Sequence, residues 1–204
     1  MHATNGHSRK SQDRVLLLCM RGVWCDIARD FVEAMFEHVE PIFWNVGEPY
    51  PSRVDGWQGE WILSFRGDLI LSPTVLRKAS RGALNFHPAP PTYRGIGSHC
   101  YAIYNRDTQF GVTCHHINER IDAGRIIQVN RFPIAPDEPA SSLAMRAGAY
   151  CLTLFYDIVT EYVLTGRMLP ESSDNWGTEL YTHKKLATWK ERMVQEDPAS
   201  LCLR

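Results

Sequence analysis

A short apolar segment near the start of the chain constrains the fold more than any other feature. Residues 14–19 (RVLLLC) carry apolar side chains at five consecutive positions and are followed by Arg21 and Gly22. An apolar run without polar alternation is typical of a strand that is covered on both faces, as in a parallel sheet. We therefore predict that this strand lies inside a sheet with helices on both sides.

Helical and strand patterns alternate along the rest of the chain. Apolar residues recur at helical spacing over 26–38, before Pro41, and over 139–165, before Gly166, which predicts two amphipathic helices. Further strands are predicted at 41–46, 61–65, 83–86, 111–117 and 125–134, shorter helices at 74–79 and 99–104, and a loop at 47–60. This alternation predicts an α/β fold with a doubly wound, mostly parallel sheet.

Length and composition bound the organisation of the chain. It has 204 residues, of which 44% are hydrophobic and 22% charged, enough to bury one substantial core. We expect a disordered leader at 1–13, a main domain at 14–166 and a C-terminal extension at 167–204. Within the extension, a strand is predicted at 179–182 and a basic helix at 183–196. The extension is expected to pack on the main domain or on a partner in a homodimer, since two-fold dimers are the commonest assembly.

Charge and hydropathy limit the partners of the protein. The formal net charge is -1, which gives no electrostatic reason to expect nucleic acid or an anionic membrane as the main partner. No apolar run approaches the roughly 20 residues needed to cross a bilayer, and residues 1–14 lack the order of a secretion signal. We therefore expect a cytoplasmic protein without a membrane or nucleic-acid partner.

The cysteines give no sign of a disulfide framework or a metal site. The chain has six cysteines without any Cys-x-x-Cys pair, and several lie inside apolar segments. This usage predicts reduced, mostly buried thiols and no bound metal.

Two polar residues stand at the end of a predicted strand, where ligands bind in open α/β sheets. Asn85 and His87 are two residues apart, so their side chains should project to the same side. An asparagine can donate a hydrogen bond to a developing oxyanion, and a histidine can give or take a proton near neutral pH. Asp122, which lies 35 residues after His87 and precedes Ala-Gly, is expected to orient His87 or to relay a proton through water. The alternative is that Asn85 and Asp122 are turn residues and that His87 binds a backbone carbonyl.

Three segments together resemble the catalytic core of the formyltransferase superfamily that uses 10-formyltetrahydrofolate. They are 85–95 (NFHPAPPTYRG), 111–115 (GVTCH) and 122–127 (DAGRII), and a weaker resemblance extends over 15–134. The resemblance implies a doubly wound fold, a catalytic domain at 14–166 and transfer of a formyl group to an amine.

The resemblance also implies roles for individual residues. Asn85 would hold the formyl oxygen, His87 would polarise it, and Asp122 would help to remove the proton from the attacking nitrogen. The pterin of the folate would be bound largely by main-chain groups, although the apolar residues among them are also ordinary core residues. These folate contacts would be Leu69, Ile70, Leu71, Asn118, Ile121 and Asp122.

Two further positions bear on the resemblance. His115 matches a position of the family and is expected to support the active site from behind or to act directly, whereas His116 has no match and is expected to be structural. The loop from His87 to Gly95 is one residue shorter than is usual in the family and has Ala89 in place of a serine, so we expect its path to differ.

The acceptor is inferred from what surrounds this core. Residues 20–24 lack the Gly-rich phosphate turn that glycinamide ribonucleotide formyltransferases carry, and the chain has no room for the further domains of the initiator-tRNA enzyme or of formyltetrahydrofolate hydrolase. Its size resembles the sugar N-formyltransferases, which modify nucleotide-linked amino sugars for surface polysaccharide. The alternatives are a carrier-bound aminoacyl group, another small amine, or a folate-binding module without catalysis. Candidate acceptor contacts, which could also be surface or packing residues, are Trp24, Tyr93, Arg94, Trp176, His183 and Lys184.

Overall fold

A six-stranded sheet with helices on both faces makes up the centre of the protein, and a separate two-stranded sheet lies beside it, in a computed structural model that describes residues 10–196, 200 and 202. The predicted α/β class is confirmed. In chain order the elements are β1 (Ser11–Cys19), α1 (Val23–Met35), β2 (Phe36–Phe43), α2 (Arg53–Gly56), β3 (Gly59–Phe65), α3 (Pro73–Leu76), β4 (Ala79–His87), β5 (Arg94–Gly95), α4 (Ser98–Tyr104), β6 (Gln109–His116), β7 (Ile126–Pro133), α5 (Ala140–Thr165), β8 (Leu180–Tyr181) and α6 (His183–Glu196).

The strand order of the main sheet is β2-β1-β3-β4-β6-β7. The first four of these strands are parallel to one another, whereas β6 runs antiparallel to β4 and β7 antiparallel to β6. The prediction of a mostly parallel sheet is therefore confirmed, with an antiparallel pair added at one side, as many doubly wound folds have. This pair places the end of β6 next to the end of β4.

The apolar run that opens the chain is buried on both faces, as its sequence predicts. Val15, Leu17 and Cys19 belong to the larger core, which α1, α4 and α5 cover. Leu16 and Leu18 belong to the smaller core on the other face, under α2 and α3. All five side chains are at most 3% exposed, so β1 is an inner strand that packs against both layers of helices.

The boundary between α1 and β2 was predicted wrongly. The spacing of apolar residues favours a helix over 26–38 and a strand at 41–46, but α1 ends at Met35 and β2 already begins at Phe36. Pro41 lies inside β2 and does not end a helix. Proline is tolerated there because β2 is an edge strand, which pairs only with β1 among the described residues, so the missing N–H leaves no ladder bond unmade.

Smaller boundary differences occur elsewhere. The predicted loop at 47–60 contains α2, and the predicted strand at 83–86 is only the end of β4. β1 begins at Ser11, so residues 11–13 of the predicted leader belong to the sheet. The rest of that leader, 1–9, lies outside the described residues.

The C-terminal extension contacts the main domain of the same chain. β8 pairs in parallel with β5, in the loop after β4. On α6, the buried Trp189 lies with its ring centroid 5.0 Å from that of Tyr101 and 5.6 Å from that of Tyr104, both on α4. These contacts bring the segment before β8 to the carboxyl ends of β4 and β6.

All six cysteines are buried and free. No helix in the described part of the chain has the length and apolar character that a membrane span needs. Within the same residues, no group of three or more His, Cys, Asp and Glu side chains is arranged to hold a metal ion.

Candidate active site

The carboxyl end of β4 brings the predicted catalytic residues together. Asn85 and His87 are among the last residues of β4, and Asn85 pairs in register with His115 of β6. Asp122 lies in the loop between β6 and β7 with a φ of 41°, a left-handed conformation that aspartate adopts more readily than most residues. His87, His115 and Asp122 are all at least nine-tenths buried.

Asp122 lies at the centre of the cluster. Its Oδ1 is 3.3 Å from Asn85 Nδ2, which donates to it, and 3.3 Å from His115 Nε2. Its Oδ2 is 3.6 Å from His87 Nδ1. Asn85 Nδ2 is also 3.1 Å from His115 Nε2. One carboxylate therefore contacts an amide and two imidazoles from two different strands.

The other ring nitrogen of each histidine fixes which nitrogen carries a proton. His87 Nε2 is 2.8 Å from the carbonyl oxygen of Tyr93, and His115 Nδ1 is 2.8 Å from that of His116. A carbonyl oxygen only accepts, so each of these nitrogens donates an N–H. His87 Nδ1 and His115 Nε2, which face Asp122, are therefore the nitrogens that can take up a proton.

Asp122 is held in its ionised form. Burial raises the pKa of Asp122, but the neighbouring His87 and His115 and the backbone N–H of Gly95 outweigh it, so its pKa lies well below the usual range. The Gly95 N–H donates to Oδ2 over 2.8 Å. A carboxylate with such a low pKa is a weak proton acceptor.

One hydrogen-bonding position of the cluster is open. The amide oxygen of Asn85 is buried and has no partner, although its Nδ2 contacts both Asp122 and His115. An unpaired buried acceptor costs about 1–3 kcal/mol. We therefore expect a bound group to donate a hydrogen bond to this amide oxygen.

Arg94 holds the loop that carries Asp122. Its Nε donates to the carbonyl oxygen of Asp122 over 2.7 Å and its Nη2 to that of Ile121 over 2.9 Å. Gly124 lies so close to β6 that a Cβ at its position would be 1.7 Å from the carbonyl oxygen of His116. The guanidinium of Arg94 therefore binds the backbone of this loop, and its contact with the acceptor stays a prediction.

Trp176 of the C-terminal extension covers the cluster. Its Nε1 donates to the carbonyl oxygen of Gly124 over 2.6 Å. Its ring lies edge-on to His115, with centroids 4.8 Å apart, and its centroid is 6.2 Å from that of His87. The sequence suggests only an acceptor contact for Trp176, since nothing local indicates that the extension returns to β6.

The predicted folate contacts lie on two segments beside the cluster. Leu71 is 6% exposed and packs in the core under α3, Ile70 is 68% exposed, and Leu69 is half-buried. Asn118 accepts a hydrogen bond from the backbone N–H of Arg120. Ile121 is exposed, and its carbonyl oxygen binds Arg94. An exposed side chain at Ile70 does not fit an ordinary core position.

The remaining acceptor candidates lie on separate elements. Tyr93 is 3% exposed, and its hydroxyl donates to Asp107 over 2.6 Å, so a substrate contact by its side chain is not supported. His183 and Lys184 are exposed at the start of α6, and Lys184 lines an open groove of about 530 Å³ on that helix. Trp24 lies in the first turn of α1 and packs against the larger core.

Residues 56–150 match the family described as Formyl transferase, and this segment includes every residue of the cluster on β4, on β6 and in the loop after β6. The matched segment of this chain is thus similar to formyltransferases. Curated relatives with matching sequence include methionyl-tRNA formyltransferases. That of Sorangium cellulosum is 32% identical over 118 residues, 57% of this chain and 37% of the relative, and that of Chlorobium chlorochromatii is 40% identical over 78 residues, 38% and 25%. The chain thus spans well under half the length of these relatives.

Solved formyltransferase structures share the fold of this chain over most of its length. The formyltransferase PseJ of Anoxybacillus kamchatkensis, in complex with UDP-4,6-dideoxy-4-formamido-L-AltNAc and tetrahydrofolate, has a TM-score of 0.64 at 19% identity, covering 92% of this chain and 95% of PseJ. The N-formyltransferase of Helicobacter canadensis, in complex with folinic acid and dTDP-3-aminofucose, has a TM-score of 0.67 at 17% identity, with coverages of 83% and 71%.

Proposed function

We propose that this protein transfers a formyl group from 10-formyltetrahydrofolate to the amine of a nucleotide-linked amino sugar. The observation that carries the proposal is the cluster at the end of β4, where Asp122 lies within 3.6 Å of the side chains of both Asn85 and His87. These are the three residues for which the family resemblance implies catalysis. The match of residues 56–150 to the formyltransferase family supports the same reaction.

The reaction needs a bond change that these groups can assist. The amine nitrogen attacks the formyl carbon, the bond between that carbon and N10 of the folate breaks, and the proton lost by the amine passes to N10. Negative charge develops on the formyl oxygen in between, and donors aimed at it lower the barrier. Asn85 and His87 supply such donors, while the attacking amine must be neutral.

The contacts of the two histidines suggest how the donors become available. Neutral His115 accepts the N–H of Asn85 at Nε2, but protonated His115 donates to Asp122 and frees that N–H for the formyl oxygen. Protonated His87 likewise carries an N–H on Nδ1. Because Asp122 is a weak base, we infer that its role is to stabilise these imidazolium ions while protons move through them or through water.

The folate is proposed to bind beside the cluster, at 69–71 and 118–122. Arg94 fixes the backbone of the second segment, and the exposed Ile70 offers apolar surface to a pterin ring. The PseJ and Helicobacter canadensis structures contain tetrahydrofolate and folinic acid, which supports a folate donor for a chain of the same fold.

Two observations bear on the acceptor. Both of these neighbours also contain nucleotide-linked sugars, and PseJ has nearly the same length as this chain, which supports an amino-sugar acceptor. The methionyl-tRNA formyltransferases among the relatives make methionyl-tRNA a second candidate. The net charge of -1 disfavours it, since RNA binding depends on neutralising phosphates.

The test is an acceptor panel. The protein is incubated with 10-formyltetrahydrofolate and UDP-, dTDP- and GDP-linked amino sugars, methionyl-tRNA, a carrier-bound aminoacyl group and simple amines, and the formamide product is detected by mass spectrometry. We expect transfer to a nucleotide-linked amino sugar. Transfer only to methionyl-tRNA or to the carrier-bound amine would overturn the acceptor, and folate binding without transfer to any of them would overturn the enzyme.

A matched pair of variants ties the activity to the cluster. His87→Asn should lower the transfer rate by about 10²–10⁴ while leaving folate binding nearly intact. His116→Asn is the control, because His116 is half-buried next to His115 and its ring makes no hydrogen bond among the described residues. Equal losses in both variants would contradict the assignment.

A further inference from the structure

The loop from His87 to Gly95 holds the imidazole of His87 through the main chain of Tyr93. His87 Nε2 donates to the carbonyl oxygen of Tyr93 over 2.8 Å, while His87 Nδ1 faces Asp122 at 3.6 Å. The hydrogen bond at one ring nitrogen of a histidine sets which nitrogen carries the proton. The position of the Tyr93 carbonyl therefore sets both the tautomer and the orientation of His87.

The side chain of Tyr93 is held by two polar residues outside the catalytic cluster. Tyr93 is 3% exposed, and its hydroxyl donates to Asp107 Oδ2 over 2.6 Å and accepts from Asn105 Nδ2 over 3.0 Å. Burial, and then the hydrogen bond to Asp107, raise the pKa of Tyr93, so the hydroxyl keeps its proton. A hydrogen bond to an ionised acceptor is among the stronger kinds in proteins.

Asn105 and Asp107 are themselves fixed to the end of α4. The backbone N–H of Asn105 donates to the carbonyl oxygen of Tyr101 over 2.8 Å, and that of Asp107 to the carbonyl oxygen of Ala102 over 3.0 Å. Tyr101 and Ala102 are buried in the larger core. The Tyr93 hydroxyl is thus bound to the end of a packed helix.

The start of the same loop is fixed to the main sheet. Thr113 pairs in register with His87 and is inaccessible to solvent, and its Oγ1 donates to the carbonyl oxygen of Ala89 over 2.7 Å. The backbone N–H of Tyr93 donates to the carbonyl oxygen of Pro90 over 3.0 Å. The position of the Tyr93 carbonyl therefore depends on this turn and on the contacts of the Tyr93 side chain.

We propose that Tyr93 and Asp107 are positioning residues for His87. The hydrogen bond between their side chains holds the loop so that the Tyr93 carbonyl keeps a proton on His87 Nε2 and turns Nδ1 toward Asp122. Both residues act on the reaction only through His87. The use of this orientation in formyl transfer rests on the proposed function, whereas the orientation itself does not.

The orientation is tested on the full chain without any substrate. A buried, hydrogen-bonded imidazole N–H exchanges slowly with water and gives a proton signal in a ¹⁵N-labelled sample, and His87→Asn assigns the signal of His87. Tyr93→Phe removes only the hydroxyl, and we expect it to abolish this signal or to speed its exchange with water about tenfold or more. The Nδ1–H signal of His115, which donates to the carbonyl oxygen of His116, should persist in the same sample.

Tyr101→Phe is the matched control. Tyr101 is a buried tyrosine whose ring packs against Tyr181, as that of Tyr93 does, but its hydroxyl makes no hydrogen bond among the described residues. The His87 signal should therefore not change. Asp107→Ala should reproduce the effect of Tyr93→Phe, whereas Asp107→Asn retains an oxygen that can accept from the hydroxyl and should retain the signal.

Kinetics link the orientation of His87 to the reaction. With 10-formyltetrahydrofolate and the acceptor that the panel identifies, Tyr93→Phe and Asp107→Ala should each lower kcat about tenfold or more, with KM for the folate nearly unchanged. The double variant should lose no more than either single variant, because both changes break the same hydrogen bond. Asp107→Asn should retain most of the kcat that Asp107→Ala loses.

A purely structural role of Tyr93 predicts a different result. Tyr93→Phe would then unfold at a lower urea concentration while the His87 signal and kcat kept their wild-type values, and this outcome would overturn the inference. If Tyr93→Phe does not fold, the comparison of Asp107→Ala with Asp107→Asn provides the same test. Equal signals and equal kcat in those two variants would also overturn the inference.

The two readouts separate this inference from the proposed function. Unchanged kcat in Tyr93→Phe and Asp107→Ala would overturn the role of the two residues in transfer and leave the proposed function standing. A His87 signal that depends on Tyr93 and Asp107, in a protein that formylates no acceptor, would overturn the proposed function and leave the positioning of His87 in place.

Discussion

At the scale of single residues, the site depends on the charge of Asp122 and on the groups that hold it. Its two oxygens accept from or lie beside an amide, two imidazoles and a backbone N–H. Buried carboxylates are costly unless they are paired in this way. The same contacts that keep Asp122 ionised beside the two histidines therefore also contribute to the stability of the fold.

This dual role predicts a pH-dependent stability for Asp122→Asn. Because the folded pKa of Asp122 lies below the unfolded value of about 3.9, the charged form stabilises the folded state above that pH, and the contribution is lost as the pH falls through the folded pKa. At pH 7 the variant should be less stable by about 2 kcal/mol, and the difference should shrink below pH of about 4. Urea unfolding at a series of pH values measures it.

A control and a contradicting result follow from the same experiment. Asp157 is exposed on α5, and Asp157→Asn should change the free energy of unfolding by less than about 0.5 kcal/mol at each pH. If Asp122→Asn were as stable as the wild type at pH 7, the contacts of Asp122 would not stabilise the fold as inferred.

Arg94 offers a second prediction at this scale. Arg94→Lys should lower the transfer rate at least tenfold, because one ammonium group does not reproduce the two bonds with which the guanidinium holds the carbonyl oxygens of Ile121 and Asp122. Arg120→Lys, on the exposed part of the same loop, should leave the rate unchanged. Measuring kcat for both variants at saturating folate checks this prediction. An unchanged kcat in Arg94→Lys would show that the loop does not depend on the two hydrogen bonds of the guanidinium.

At the scale of elements, the pairing of β5 with β8 joins the C-terminal extension to the site. A Cβ on Gly95 would lie 2.1 Å from the carbonyl oxygen of Tyr181, and Gly95 has a φ of 91°, so only glycine fits. The loop of β5 also supplies the N–H that binds Asp122. The extension is thus part of the structure that orients the catalytic carboxylate.

Gly95→Ala should therefore both separate β5 from β8 and disturb the active site. We expect a loss of about 2 kcal/mol or more in the free energy of unfolding, from the clash and the strained φ, with a lower transfer rate. Gly56→Ala is the matched control, since nothing lies within 4 Å of its Cβ position and the change should cost less than about 0.5 kcal/mol. Thermal unfolding of both variants measures the difference. Equal stabilities of the two variants would contradict the inference that the pairing of β5 with β8 stabilises the fold.

The elements also show how far the sequence predicts this fold. β1 and α5 are predictable because one continuous apolar run and one long apolar stripe define them locally. The start of β2 is not, because Phe36 and Val39 fit a helical period as well as a strand, and only pairing with β1 decides between them. The antiparallel direction of β6 has no local signal either.

The candidate site, like the fold, is only partly predictable from the sequence. The order of Asn85, His87 and Asp122 predicts a cluster because two of them end one strand and the family resemblance supplies the third. The contacts of Arg94 with the loop of Asp122, and of Trp176 with His115, join residues far apart in the chain. They depend on how the loop and the extension pack, which no spacing in the sequence reveals.

At the scale of the whole molecule, charge separates the two acceptor classes. The net charge of -1 gives no electrostatic reason to expect a polyanion as the main partner. A molecule of this kind suits a small anionic acceptor better than RNA.

Salt should therefore have little effect on turnover. Raising the salt concentration from 50 to 200 mM should change KM for a nucleotide-linked amino sugar by less than about tenfold, because only one or two phosphates are contacted, whereas an acceptor bound through 6–10 phosphate contacts would lose about 10³–10⁵ in affinity. Initial rates at a series of salt concentrations measure the slope of log KM against log salt. A steep slope would indicate an extended polyanionic acceptor and would contradict the amino-sugar assignment.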